Sequence, residues 1–174
     1  MFGISNLYLE QLLDTLNLQL FDGVYSSNNI PPELLRKAET CFICNLSKVN
    51  EIGSHFITIF KVREKMWIFY SLALPLTHFP SELAQLFAAF TKTSFVYQNQ
   101  LQRISSHFCG FYCIFFVLRL NAKQEPKLSD FTNPKVNDNL CIENILKLIK
   151  HLQNYSISFR FLFLPIMFQE YDVF

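Results

Sequence analysis

SSHFCGFYCIFFVLRL, residues 105–120, is the most apolar helix candidate in the chain and is polar only where it opens. Its length suits a helix, and apolar residues on every side require it to be buried. This predicts a central helix with an exposed N-terminus. Cys109 stands at that entry, followed by Gly110, which permits close backbone approach. A helix N-terminus supplies partial positive charge and unpaired N–H groups, so a thiol there should ionise below the ordinary value of about 8.5. A cysteine in an apolar helix is most often simply core; other residues shift that weight.

Upstream, the texture is that of strands. CFICNL (41–46), HFITIFKV (55–62) and MWIFYSL (66–72) are dominated by β-branched and aromatic residues, and REK (63–65) joins the last two as a short hairpin connection. FPSELAQLFAAFTKTS (79–94) predicts a helix starting at Pro80 or Ser81, and SFVYQ (94–98) a further strand. SNLYLEQLLDTLNL (5–18) predicts an amphipathic helix capped by Ser5 or Asn6. FDGVYSSNNIPPELL (21–35) reads as a surface wrap, with Pro31-Pro32 opening a helical turn. VNDNLCIENILKLIKHL (136–152) predicts another amphipathic helix capped by Asn137 or Asp138, and SISFRFLFLPIMF (156–168) a final strand. Consecutive strands with segregated helices indicate an α+β fold rather than a βαβ wind.

With 174 residues, 51% of them hydrophobic, 20 of them Phe and only 17% charged, the chain folds and buries one core, so residues 1–174 are read as one domain. Fifteen basic and 14 acidic residues give a net charge of +1, which offers no field for DNA or an anionic membrane. The apolar runs are shorter than the ~18 residues a membrane span requires. Glu10 and Asp14 among the N-terminal leucines, with no basic region before them, argue against a signal peptide. An intracellular, unsecreted protein follows, and its five cysteines are expected as free thiols.

His55 opens a predicted strand just after Gly53-Ser54, where an imidazole can face a cleft, and Gln102 lies seven residues before Cys109 in a polar loop. An imidazole can take a thiol proton, and a side-chain amide can join the Cys109 N–H in binding an oxyanion. Each residue alone is commonly structural. Together, FDGVYSSNNIP, CFICNLSKVNEIGSHF, the strand ending IFYSLALPL, and Q-x6-C-G-F-Y-C run in the order and spacing of a known family. From about Leu20 to Leu120 the sequence resembles the adenovirus-type cysteine proteases, adenain and the related enzymes of Polinton/Maverick and adintovirus elements; VNDN near residue 137 echoes a further, less specific pattern.

The resemblance implies a papain-like, adenain-like α+β fold: a central mixed sheet packed by helices, with the nucleophile at the N-terminus of a buried helix. It implies a cysteine-type endopeptidase in which Cys109 is the nucleophile, His55 the base and Gln102 the oxyanion donor. The implied substrates are viral or transposon capsid and core precursors cut during virion maturation, often after small residues such as Gly, in the host nucleus and the virion. Two positions depart from the family. Its acidic residue, in a phrase such as F-D-S-x-G, is replaced in Phe69-Tyr70-Ser71-Leu72-Ala73 by Tyr70, and Phe56 follows the histidine where Trp is common. A phenol can accept a hydrogen bond from imidazole and hold its tautomer but adds no charge, so weakened chemistry is expected. Glu64 is a poor substitute on geometric grounds.

Adenain also uses a disulfide-linked peptide and DNA. Residues 45–108 contain no cysteine for that linkage, so neither is carried over, and no cofactor and a monomer are expected. Cys41-x-x-Cys44 with His107, Cys109 and Cys113 suggests zinc, but strand residues three apart face opposite ways, so no metal is expected. Two alternatives stand. A ubiquitin-like-modifier protease shares the residue order but carries Trp after the histidine and Asp before the cysteine, where this chain has Phe56 and Phe108. A catalytically impaired homologue kept as a binding module would account for Tyr70.

Overall fold

The computed structural model describes residues 5–51, 55–97, 99–122 and 131–153. Five helices and five strands alternate in clusters: α1 (Asn6–Asp14), β1 (Val24–Ser26), α2 (Pro32–Arg36), β2 (Glu39–Asn45), β3 (Phe56–Val62), β4 (Lys65–Phe69), α3 (Ser81–Phe90), β5 (Thr93–Val96), α4 (Cys109–Asn121) and α5 (Asn137–Gln153). The strands form one sheet in the order β1-β2-β3-β4-β5. The α+β class with a mixed sheet is therefore what the chain forms.

The sheet's centre is antiparallel, with β2 against β3 and β3 against β4, whereas both outer pairs, β1 with β2 and β4 with β5, are parallel. Each parallel pair needs a crossover, which α2 supplies on one side and α3 on the other. The surface wrap expected around residues 21–35 is thus partly a strand: Val24–Ser26 pairs with Ile43–Asn45. Three residues are too few for an alternating pattern to show. Asp22 locks this edge, its carboxylate accepting from Thr40 Oγ1 at 2.7 Å and from the Cys41 amide at 3.2 Å.

Both sheet faces are covered, as the alternation along β2 and β3 dictates. Cys41, Ile43 and Phe56 face a cluster with α1, α4 and α5, while Phe42, Cys44, Ile57 and Ile59 face a cluster with α2 and α3. Cys41 and Cys44 therefore point to opposite faces and cannot chelate one ion. All five cysteines are free and buried. The helix expected to be central is so: every residue from Cys109 to Leu118 in α4 is buried. Phe116 stacks on Phe69 with centroids 4.6 Å apart and planes 12° apart, seating α4 on the end of β4. Such a pair adds about 0.5–1.5 kcal/mol beyond its buried area.

Ser5 caps α1 as expected, accepting from the Tyr8 amide at 3.2 Å. Asn137 and Asp138, expected as caps, are the first residues of α5 itself; the turn at residues 134–136 leads into it, with the Asn133 side chain accepting from the Lys135 amide at 3.0 Å. Asn137 and Asp138 have other partners, described below. The strand expected at 156–168 lies outside the described residues. Among the described residues, no helix is long and apolar enough to cross a membrane.

Candidate active site

Cys109 is the first residue of α4, and His55 immediately precedes β3. The backbone amides of Phe56, Gly110 and Cys109 itself lie near the Cys109 sulfur and favour its ionised form. Phe56 directly follows His55, so the thiol lies beside the start of the strand that the imidazole precedes. Among the five cysteines, Cys109 is the one whose ionised form neighbouring backbone amides favour. The thiol sits just below the surface, not on an exposed helix end: Cys109 is 7% exposed.

That burial corrects the electrostatic expectation. It pushes the Cys109 thiol above its ordinary value, and the three nearby backbone amides offset the rise only in part. His55 is pushed down, chiefly by burial and secondarily by the His107 imidazole. Both shifts favour uncharged forms, so the resting pair at neutral pH is a thiol and a neutral imidazole.

Tyr70 lies one residue beyond β4 and continues its register. Its ring centroid is 6.0 Å from that of His55, with planes tilted by 57°. No hydrogen bond joins the two, and His55 Nδ1 is buried without a partner among the described residues. The expected tautomer-holding bond from the phenol is therefore not made; the ring packs between His55 and Phe79, whose centroid is 5.9 Å away, in the cluster beneath α3. Burial, and then the proximity of Cys109, push the Tyr70 hydroxyl up to about 12, so it stays neutral. Glu64 is excluded as a substitute: it pairs with Lys92 at 2.9 Å in the turn at the far end of β3, on the order of 20 Å along the strand.

The backbone after Tyr70 is informative. Ala73 has φ +54, closing a turn in which its amide donates to the Tyr70 carbonyl at 2.9 Å. An L-residue in that region costs about 1–2 kcal/mol, a penalty glycine avoids. Glycine is the residue that the F-D-S-x-G phrase carries at this position.

Gln102 is brought to the same end of the sheet and is fully buried rather than lying in an open polar loop. Its Oε1 accepts from Ser71 Oγ at 2.6 Å and its Nε2 donates to the Ser106 carbonyl at 2.6 Å. The backbone is held as well, the amides of Leu101 and Gln102 both donating to the Ser71 carbonyl, at 2.8 and 3.1 Å. From the other side, the Leu101 carbonyl accepts from Asn137 Nδ2 at 2.9 Å and from the Tyr112 hydroxyl at 3.3 Å, and that hydroxyl also reaches Asp138 at 3.0 Å. Ser71 and Tyr112 were not singled out from sequence, and Asn137 and Asp138 only as helix caps, not as site residues. The only available signal was their place in phrases, the serine after Tyr70 and the VNDN run, that the family pattern touches.

No protein-family model matches this sequence, and no curated protein matches it significantly.

Two outcomes follow from this geometry. Alkylation of Cys109 by iodoacetamide should keep rising between about pH 7 and pH 9, as a thiol raised above the ordinary value of about 8.5 ionises; a plateau reached below neutrality would contradict the neutral pair. Tyr70→Phe, which keeps the packing and removes the hydroxyl, should change that rate by less than about twofold, whereas a tautomer-holding hydrogen bond would be worth orders of magnitude, up to about 10⁴-fold.

Proposed function

We propose that this chain is a cysteine endopeptidase of the papain-like, adenain-like kind. The observation that carries the reading is the seating of the Cys109 thiol: it lies at the N-terminus of a buried helix, near backbone amides that favour its ionised form, one of them from the residue after His55. His55 takes the thiol proton as the sulfur attacks a scissile carbonyl carbon. The carbonyl oxygen gains the electron pair and is held by the Cys109 amide and Gln102 Nε2, an amide nitrogen with two hydrogens of which Ser106 accepts one. Collapse expels the amine, which takes the proton back from His55, and water hydrolyses the thioester. A buried thiol that is neutral at rest makes His55 a general base, a role worth about 10²–10⁴ in rate.

The strained turn at Ala73, where the family phrase carries glycine, supports the adenain-like assignment independently of the His, Gln and Cys positions. By that resemblance the substrates are capsid and core precursor proteins cut during maturation, in the host nucleus and the particle, with a monomer as the working form.

One observation favours a second reading. His55 Nδ1 is buried without a partner among the described residues, beside a neutral phenol, so no carboxylate among them stabilises the imidazolium formed in the reaction. An impaired enzyme retained as a binding module would tolerate this. Incubating the chain with a denatured proteome and sequencing the new N-termini separates the two. The endopeptidase reading predicts new termini that are absent with Cys109→Ala; identical termini from both proteins, or none from either, would support the binding module.

A further inference from the structure

We infer that Ser71 is the positioning residue for the oxyanion amide, an inference that rests on the endopeptidase reading above. The direction of the Gln102 side chain is chemically fixed. The Ser106 carbonyl can only accept, so the nitrogen must face it, and the oxygen must then face Ser71, whose hydroxyl is the donor at 2.6 Å. Ser71 and Gln102 are buried, at 2% and 0% exposure, so no bulk water replaces the bond between them. An amide pinned at both ends cannot rotate about its terminal torsion. Its second Nε2 hydrogen is thereby held in one direction.

Ser71 is suited to this because it holds the same segment twice. It lies in the turn that follows β4, and its carbonyl accepts from the amides of Leu101 and Gln102 at 2.8 and 3.1 Å. The hydroxyl adds the side-chain orientation that the backbone bonds leave free.

The test compares two reactions at Cys109 in the whole chain. A peptide ending in glycinal forms a hemithioacetal: the S–C bond forms, the carbonyl π bond breaks, and the thiol proton ends on an oxygen that occupies the oxyanion site. Iodoacetamide alkylation expels iodide and places no oxyanion there. Ser71→Ala should weaken glycinal inhibition about tenfold or more, up to the roughly 10²–10³-fold loss from deleting an oxyanion donor outright, while alkylation changes less than about twofold. Ser71→Thr, which keeps a hydroxyl, should restore inhibition. Ser71→Cys, close in volume with a weak donor, should fall between and provides the comparison if the alanine protein does not fold. Equal loss of both reactions in folded Ser71→Ala or Ser71→Cys would mean a general structural role, and no loss of inhibition would mean that the amide needs no orienting; either overturns the inference. If the parent chain alkylates at Cys109 but glycinal does not inhibit it, the endopeptidase reading falls first and takes this one with it.

Discussion

The burial of α4 against the sheet brings its first residue, Cys109, beside the backbone amide of Phe56, the first residue of β3. The placement of the other site residues depends on that junction. Cys109 can sit there because α4 is apolar throughout and sinks against the sheet, with Phe116 stacked on Phe69. Its first residue is then carried to the end of the strand that His55 precedes. The loop from Leu101 to Phe108 must connect β5 to this fixed start, and it does so braced by Ser71 on the sheet and by Tyr112 and Asn137 on the helices. Packing of the helix places the chemistry, and the polar braces orient it.

The same burial has an electrostatic cost. Desolvation raises the Cys109 thiol and lowers the His55 imidazole, each toward its neutral form. A carboxylate beside His55 Nδ1 would oppose the second shift, but the residue nearby is Tyr70, a neutral phenol packed between His55 and Phe79. The molecule has aromatic packing where its resemblance implies an acid. A buried Nδ1 without a partner among the described residues, costing about 1–3 kcal/mol in such an environment, is the local consequence. Both shifts favour a neutral thiol and a neutral imidazole over a thiolate–imidazolium pair.

Much of this was legible in the residues. The apolar run 105–120 showed the central helix, REK marked the hairpin, and the opposite facing of Cys41 and Cys44 followed from strand period. The positions of His55, Gln102 and Cys109 at element ends were visible because turn and polar residues punctuate the chain there. What escaped depends on long-range partners. Val24–Ser26 is a strand only because Ile43–Asn45 lies beside it, and Asn137 is a brace rather than a cap because Leu101 presents a carbonyl to it. The direction of the Cys109 shift was misjudged for a related reason: the helix N-terminus is a local feature, whereas the desolvation that outweighs it is set by the whole core.

The proposal that Cys109 and His55 form one acyl-transfer site is best checked by acylation with an activated ester, followed by intact mass and by peptide mapping of all five cysteines, in the parent chain and in His55→Ala. A thioester is expected at Cys109 alone, forming and then hydrolysing in the parent chain and failing to accumulate at a comparable rate in His55→Ala. Acylation spread over several cysteines, or proceeding at Cys109 equally well without His55, would contradict it.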